Sequence, residues 1–174
     1  MNINASVQTQ APQHLLPWLT YEGFLTKKLH QLTGDTSMQI LSHAMHSRLW
    51  WDQYMLGVTC ASVVHRDIVM YAQQQACWYA RSIIPQTTYD AAPQWFARLK
   101  TELLGTLLFE STHVHRQFLI HYPIDVSCIE YHWVNSIWHQ NTPRLWARLS
   151  LFHVHHEHPL FLLEVLLPGL ERFL

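Results

Sequence analysis

A chain of 174 residues that is 49% hydrophobic and only 13% charged is the size of one domain, and the few charges it carries are expected at defined places. Its formal net charge of −1, with no basic run longer than Lys27–Lys28, excludes the electrostatic footprint of a nucleic-acid binder. The longest apolar segments, such as 161–170, fall short of the roughly 20 residues of a membrane-spanning helix.

The first residues, MNINASVQTQAPQH, lack the basic start and apolar stretch of a signal peptide, so residues 1–16 are expected to be a flexible tail and 17–174 a single domain. Trp18, Tyr21, Leu25, Leu29 and Leu32 recur every three or four positions and predict one amphipathic helix ending near Gly34. A short strand is expected over Ser37–Ala44. Val63–Tyr71 and Ala76–Ile84 are β-branched or aromatic runs around a short polar segment, which predicts a hairpin.

Pro85 ends that hairpin, and Pro93 opens a second helical pattern through Phe96, Leu99, Leu103 and Leu107. Val114, Arg116, Phe118 and Ile120 alternate as a strand. Tyr122–Pro143 has no stable period and is expected to be irregular, with a short strand near Tyr131. Trp146–Val154 and Leu160–Leu167 predict a second hairpin across the turn HHEHP. Paired strands with helices between them indicate an α+β domain built on an antiparallel sheet.

Cys60, Cys77 and Cys128 are widely spaced and form no CxxC, which points to reduced thiols in a cytoplasmic setting. No nucleophile elbow, phosphate-gripping glycine loop or dinucleotide fingerprint is present, so covalent catalysis and nucleotide cofactors drop out.

Arg81 lies in the mostly apolar string CWYARSIIP, where an unpaired guanidinium would be costly, and so it calls for an anion. If the hairpin loop holds an even number of residues, Arg66 faces Arg81 directly, and two like charges so placed need something negative between them. The alternative for Arg81 is an ion pair with one of the 12 acidic residues. Glu164 interrupts FLLEVLLP and is an acid/base candidate, the alternative being a core ion pair with Arg148 in the partner strand. On a strand, His153 and His155 of FHVHHEHP share a face, but a hairpin tip lacks the converging ligands of a zinc site. No metal is expected.

Four strings in order, WLTYEGFLTKKL, HRDIVMYAQQQACWYARSIIP, LLGTLLF and HPLFLLEVLLP, together resemble the bacterial chorismate lyase family. The resemblance implies a cofactor-free, monomeric enzyme that splits chorismate into 4-hydroxybenzoate and pyruvate on the way to ubiquinone, with flaps over an internal pocket. In that family the product's carboxylate is held by a hairpin arginine and by two backbone N–H groups, and its hydroxyl meets a glutamate. Matched by motif position these are Arg81, Leu25, Leu104 and Glu164, with Arg81 and Glu164 as the catalytic pair. The aromatic and histidine-rich stretch 122–143 and the final histidine turn depart from the family pattern.

The competing reading is a non-catalytic module of the same fold that senses small aromatic acids. Such modules are normally joined to a DNA-binding domain, for which the chain ahead of Trp18 is expected to be too short. A metal-binding protein resting on the 14 histidines is a third.

Overall fold

The computed structural model describes residues 10–174. In chain order it contains α1 (Leu16–Leu19), α2 (Leu25–Thr33), β1 (Thr36–Ser47), α3 (Trp50–Tyr54), β2 (Ser62–Ala72), β3 (Gln75–Pro85), α4 (Gln86–Ala91), α5 (Pro93–Ala97), a 3-10 turn (Arg98–Lys100), α6 (Leu104–Glu110), β4 (Val114–Asp125), α7 (Ile129–Trp133), α8 (Ser136–His139), β5 (Arg144–Val154), β6 (His158–Leu166) and a closing 3-10 stretch (Pro168–Phe173). The strands form one six-stranded sheet, β1-β2-β3-β6-β5-β4, antiparallel at every pairing. This is the α+β architecture the paired strands predict.

The two hairpins meet at β3 and β6, the central strands, and both sheet faces are covered there. That is why residues 160–166 are buried without interruption. One face carries Trp18, Leu25, Leu29, Phe96, Leu99, Leu104 and Leu107 from the helices of the first two thirds of the chain. The other carries Trp51, Tyr131 and Val134 from α3 and the region of α7. Of the tail expected over residues 1–16, residues 1–9 lie outside the described chain, while Leu15 is already buried.

Both helices predicted from periodicity are broken. The first divides into α1 and α2, with Gly34 ending the second in the left-handed conformation as expected. The break spans Gly23, where a Cβ would sit 2.6 Å from the Tyr21 ring, and it turns the Trp18 and Tyr21 carbonyls towards Arg148. The second divides around the 3-10 turn, where the Leu99 and Glu102 carbonyls accept from Arg66. A continuous helix would have used these carbonyls internally. The two buried guanidinium groups claim them instead.

The first hairpin has the even, two-residue loop considered above, with Gln73 and Gln74 both at positive φ (46° and 64°), the geometry that matches strand twist. A bulge then intervenes. Tyr71 pairs with Ala76 but Met70 pairs with Trp78, leaving Cys77 as the extra residue. Beyond it the register is shifted by one, so Arg66 faces Ser82 and Arg81 faces Asp67. The expected Arg66–Arg81 pairing is thereby corrected, and the two arginines lie on opposite faces.

β4 has a similar bulge. Arg116 pairs with Phe152 and Phe118 with Leu151, leaving Gln117 between them, so the alternation expected through Phe118 and Ile120 breaks after Arg116. The stretch 122–143 also differs from expectation: β4 runs on to Asp125, and Tyr131 sits in α7, not in a strand. Helices of four and five residues are too short to show a period. Burial over the second face holds them, with the Tyr131 hydroxyl donating to the Thr142 carbonyl at 2.6 Å.

Candidate functional site

Register places Arg66 and Ile68 of β2, Trp78, Ala80 and Ser82 of β3, and Leu162 and Glu164 of β6 on one face, where they line a common cavity. Ala80 and Ser82 are small, so the floor of the sheet is low at its centre. The roof is Phe24 and Leu25 at the start of α2, and Leu103, Leu104 and Gly105 at the start of α6. Each helix start directly follows the break that supplies carbonyls to an arginine.

Arg66 is 1% exposed. Its Nε donates to Leu99 O at 2.8 Å and its Nη2 to Glu102 O at 2.7 Å. These partners are neutral, and burial lowers its pKa to about 10, leaving it a cation at neutral pH with no carboxylate bound to it among the described residues. Such a group is held in place by the backbone and still attracts an anion.

Glu164 is the sole buried carboxylate on this face among the described residues, and its cross-strand neighbours are Ala80 and Arg148. Arg148 Nε lies 2.8 Å from Glu164 Oε2, yet neither atom makes a hydrogen bond. The contact is ionic and off the N–H axis. Arg148 Nη1 is committed to Trp18 O and Tyr21 O at 2.7 and 3.0 Å. The ion pair weighed against a catalytic Glu164 therefore exists, and it exists at the cavity wall.

The cavity is small, about 30 Å³. It adjoins an outer groove of about 480 Å³ that shares Phe24, Thr26, Leu103 and Gly105. Phe24 borders both and is held against Gly105, where a Cβ would come 3.2 Å from the Phe24 ring. Gly105→Ala is expected to press that ring inwards and lower affinity for any cavity ligand about three- to tenfold, through overpacking worth roughly 1 kcal/mol; titration with ligand checks this.

Of the residues proposed from sequence, Leu25, Leu104 and Glu164 meet at this cavity, Leu25 and Leu104 each as the first residue of a helix, where amides lack intrahelical partners. Arg81 does not join them. It points to the other face, where Nε and Nη2 grip the two Asp67 oxygens at 2.7 Å each beneath the Trp133 ring, 4.0 Å from the guanidinium carbon. The alternative of an ion pair is the one realised. Asp67→Asn strands that cation and is expected to cost about 3 kcal/mol in denaturant unfolding while leaving turnover of the folded fraction unchanged. Arg66 and Phe24 are among the cavity residues that sequence reasoning did not assign to the site, and Arg148 stands beside Glu164 at its wall.

The strand ends at Val154 and His155 sits in the turn at φ 50°, so His155 does not share a strand face with His153 as expected; instead His115 and His153 pair across β4 and β5 with ring centroids 5.4 Å apart, and His155 and His156 lie beside His113. Among the described residues no group of three His, Cys, Asp or Glu is arranged to hold a metal.

Residues 4–171 match the family described as chorismate lyase. Similar sequences include a "Probable chorismate pyruvate-lyase" of Psychromonas ingrahamii, 28% identical over 92% of this chain and 86% of that protein, one of Thiobacillus denitrificans, 29% identical over the same shares, and the "Chorismate pyruvate-lyase" of Pectobacterium carotovorum subsp. carotovorum, 26% identical over 90% and 78%. Among solved structures, the PhnF C-terminal domain shares the fold with a TM-score of 0.55 at 14% identity, covering 81% of this chain and 87% of that one. So does the ligand-binding domain of a putative GntR-family regulator from Bordetella bronchiseptica, with a TM-score of 0.52 at 11% identity over 78% and 85%. No helix among the described residues is long and apolar enough to cross a membrane.

Proposed function

The chain belongs to the chorismate lyase family, and we propose on that premise that it converts chorismate to 4-hydroxybenzoate and pyruvate in the cavity between Arg66 and Glu164. The observation that carries this reading is the placement of one carboxylate-hungry guanidinium and one carboxyl group on the same sheet face. They stand on strands two apart and are offset by two residues, a separation of roughly 12 Å between backbones. A ring acid with its hydroxyl in the para position has its polar ends spaced to reach both side chains.

Arg66 takes the ring carboxylate through Nη1, its Nη2 already donating to Glu102 O and Met38 Sδ, and the first amides of α2 and α6, at Leu25 and Leu104, supply main-chain donors on the roof. Glu164 accepts from the ring hydroxyl. Chemically, the ring carbon bearing the hydroxyl loses its proton and the neighbouring C–O bond to the enolpyruvyl group breaks. The electron pair leaves with enolpyruvate, which takes up a proton at carbon to become pyruvate. The new double bond completes the aromatic ring, so the driving force resides in the substrate. Glu164, beside the carbon that loses the proton, is the residue placed to accept it.

Entry of a ring requires the Phe24 side chain to swing, which joins the inner cavity to the outer groove. Closure of the same side chain then excludes water. The test is incubation of chelator-treated protein with chorismate. Both products are expected without added metal. Binding of 4-hydroxybenzoate with no turnover of chorismate would instead support the sensing module that the shared fold with ligand-binding domains keeps in view.

A further inference from the structure

We propose that Arg116 anchors a second carboxylate, the one on the enolpyruvyl arm, and that the groove beside it is the subsite through which the three-carbon keto acid leaves. The proposal rests on the chorismate-cleaving reading above and adds the half of the substrate that Arg66 and Glu164 do not address.

The local backbone puts Arg116 where it can do this. The extra residue Gln117 in β4 keeps Arg116 on the cavity face opposite Phe152 and turns Phe118 and Ile120 to the other side; bulges commonly re-aim a side chain beside an active site. The guanidinium carbon lies 4.8 Å from the Phe152 ring centroid and 6.0 Å from that of Phe24, so it stands directly behind the aromatic wall of the cavity. Nη1 donates to the Glu22 carbonyl. Nε is buried without a hydrogen-bond partner.

The charge balance on this face is uneven. Arg66, Arg116 and Arg148 face it against the carboxylate of Glu164. That leaves a surplus of two positive charges, which a substrate with two carboxylates neutralises and a product with one neutralises only in half. Arg116 feels the other members directly, since burial and the Arg148 cation lower its pKa while Glu164 and Glu22 raise it. A site with a net positive charge of this kind holds a dianion and releases its fragments more readily once the charge is divided.

The groove beside Arg116 has a volume of about 520 Å³, is lined by Thr20, Gln117, Phe118 and His121 together with Arg116, and shares no lining residue with the cavity. His121 faces Arg148 across β4 and β5, and exposed Glu22 sits at the rim. The groove lies on the β4 side of the cavity, away from the groove beyond Phe24. The two products thus have separate sides from which to depart.

The experiment compares wild type, Arg116→Gln and Arg116→Lys by kcat/KM for chorismate and by Kd for 4-hydroxybenzoate. The first is used because it is not masked by slow release of the aromatic product. Arg116→Gln is expected to lower kcat/KM roughly 10- to 100-fold, the usual weight of hydrogen bonds to a charged group, while Kd for 4-hydroxybenzoate stays within about threefold. Inhibition by added pyruvate should weaken in parallel. Arg116→Lys, which keeps the charge, should give a smaller and equally selective loss, and it decides the matter alone if the Gln variant fails to fold. Equal losses in both quantities, or none in either, overturn the subsite. A wild type that forms no product overturns the enzyme reading itself, a result distinct from an active wild type indifferent to Arg116.

Discussion

Arg66→Lys weakens 4-hydroxybenzoate binding by about 10- to 100-fold, the worth of one charge-assisted hydrogen bond, whereas Arg81→Lys leaves it within about twofold. The guanidinium of Arg66 lines the cavity and is pinned by Leu99 O and Glu102 O, with Nη1 left uncommitted among the described residues. A lysine offers one compact charge and cannot hold two carbonyls and a carboxylate in a single plane. Arg81 spends its fork on Asp67, so its replacement is felt as stability. Calorimetric titration of the two variants reads this directly. Loss of affinity in the Arg81 variant with none in the Arg66 variant would return the anion site to the other face.

Glu164→Gln lowers the single-turnover rate on chorismate by about 10²–10⁴, the usual contribution of a general acid or base. The substitution keeps volume and an acceptor but cannot take up a proton. It also removes the countercharge of Arg148, 2.8 Å away and 1% exposed. Stability is therefore expected to fall as well, by at most about 3 kcal/mol, because the Trp18 and Tyr21 carbonyls still hold the guanidinium. Melting temperature and single-turnover rate are measured on the same preparation, since slow product release would hide a slower chemical step in steady state. A normal rate in a destabilised variant would reduce Glu164 to an ion-pair partner.

The second prediction turns on one structural fact, that the Arg148–Glu164 pair and the cavity share one face of the sheet. A carboxyl group that balances a buried cation and also faces a cavity is open to both a folding and a chemical role. A deletion at Glu164 therefore has to be read by two independent measurements.

The strands were legible because their signal is local. β2 and β3 extend by only a residue or so beyond the expected Val63–Tyr71 and Ala76–Ile84, and the unbroken apolar run of β6 follows from its central position. Glu164 stood out for the same reason, as the one charge in that run. Leu25 and Leu104 were reachable only through family resemblance, because a main-chain donor leaves no trace in the side chain that carries it.

Arg66 and Arg81 show where sequence reasoning stops. An even loop was the right premise, and the two-residue turn at Gln73–Gln74 satisfies it. The single extra residue at Cys77 nevertheless shifted the register and exchanged the faces. A bulge is chosen by packing on both sides of the sheet, with no composition of its own to announce it, and Gln117 did the same for Arg116. The broken helices follow a similar logic: periodicity gave their apolar faces, but buried Arg66 and Arg148 took the carbonyls that would have continued them.

The amino-acid sequence by itself thus determined the class of fold, the paired strands, the buried glutamate and the family. Which arginine meets the cavity, where the helices break and which charges face one another were decided only in the tertiary structure. The physical reason is that periodicity and polarity are properties of neighbouring residues, whereas register and the partners of a buried charge depend on the free energy of segments far apart in the chain.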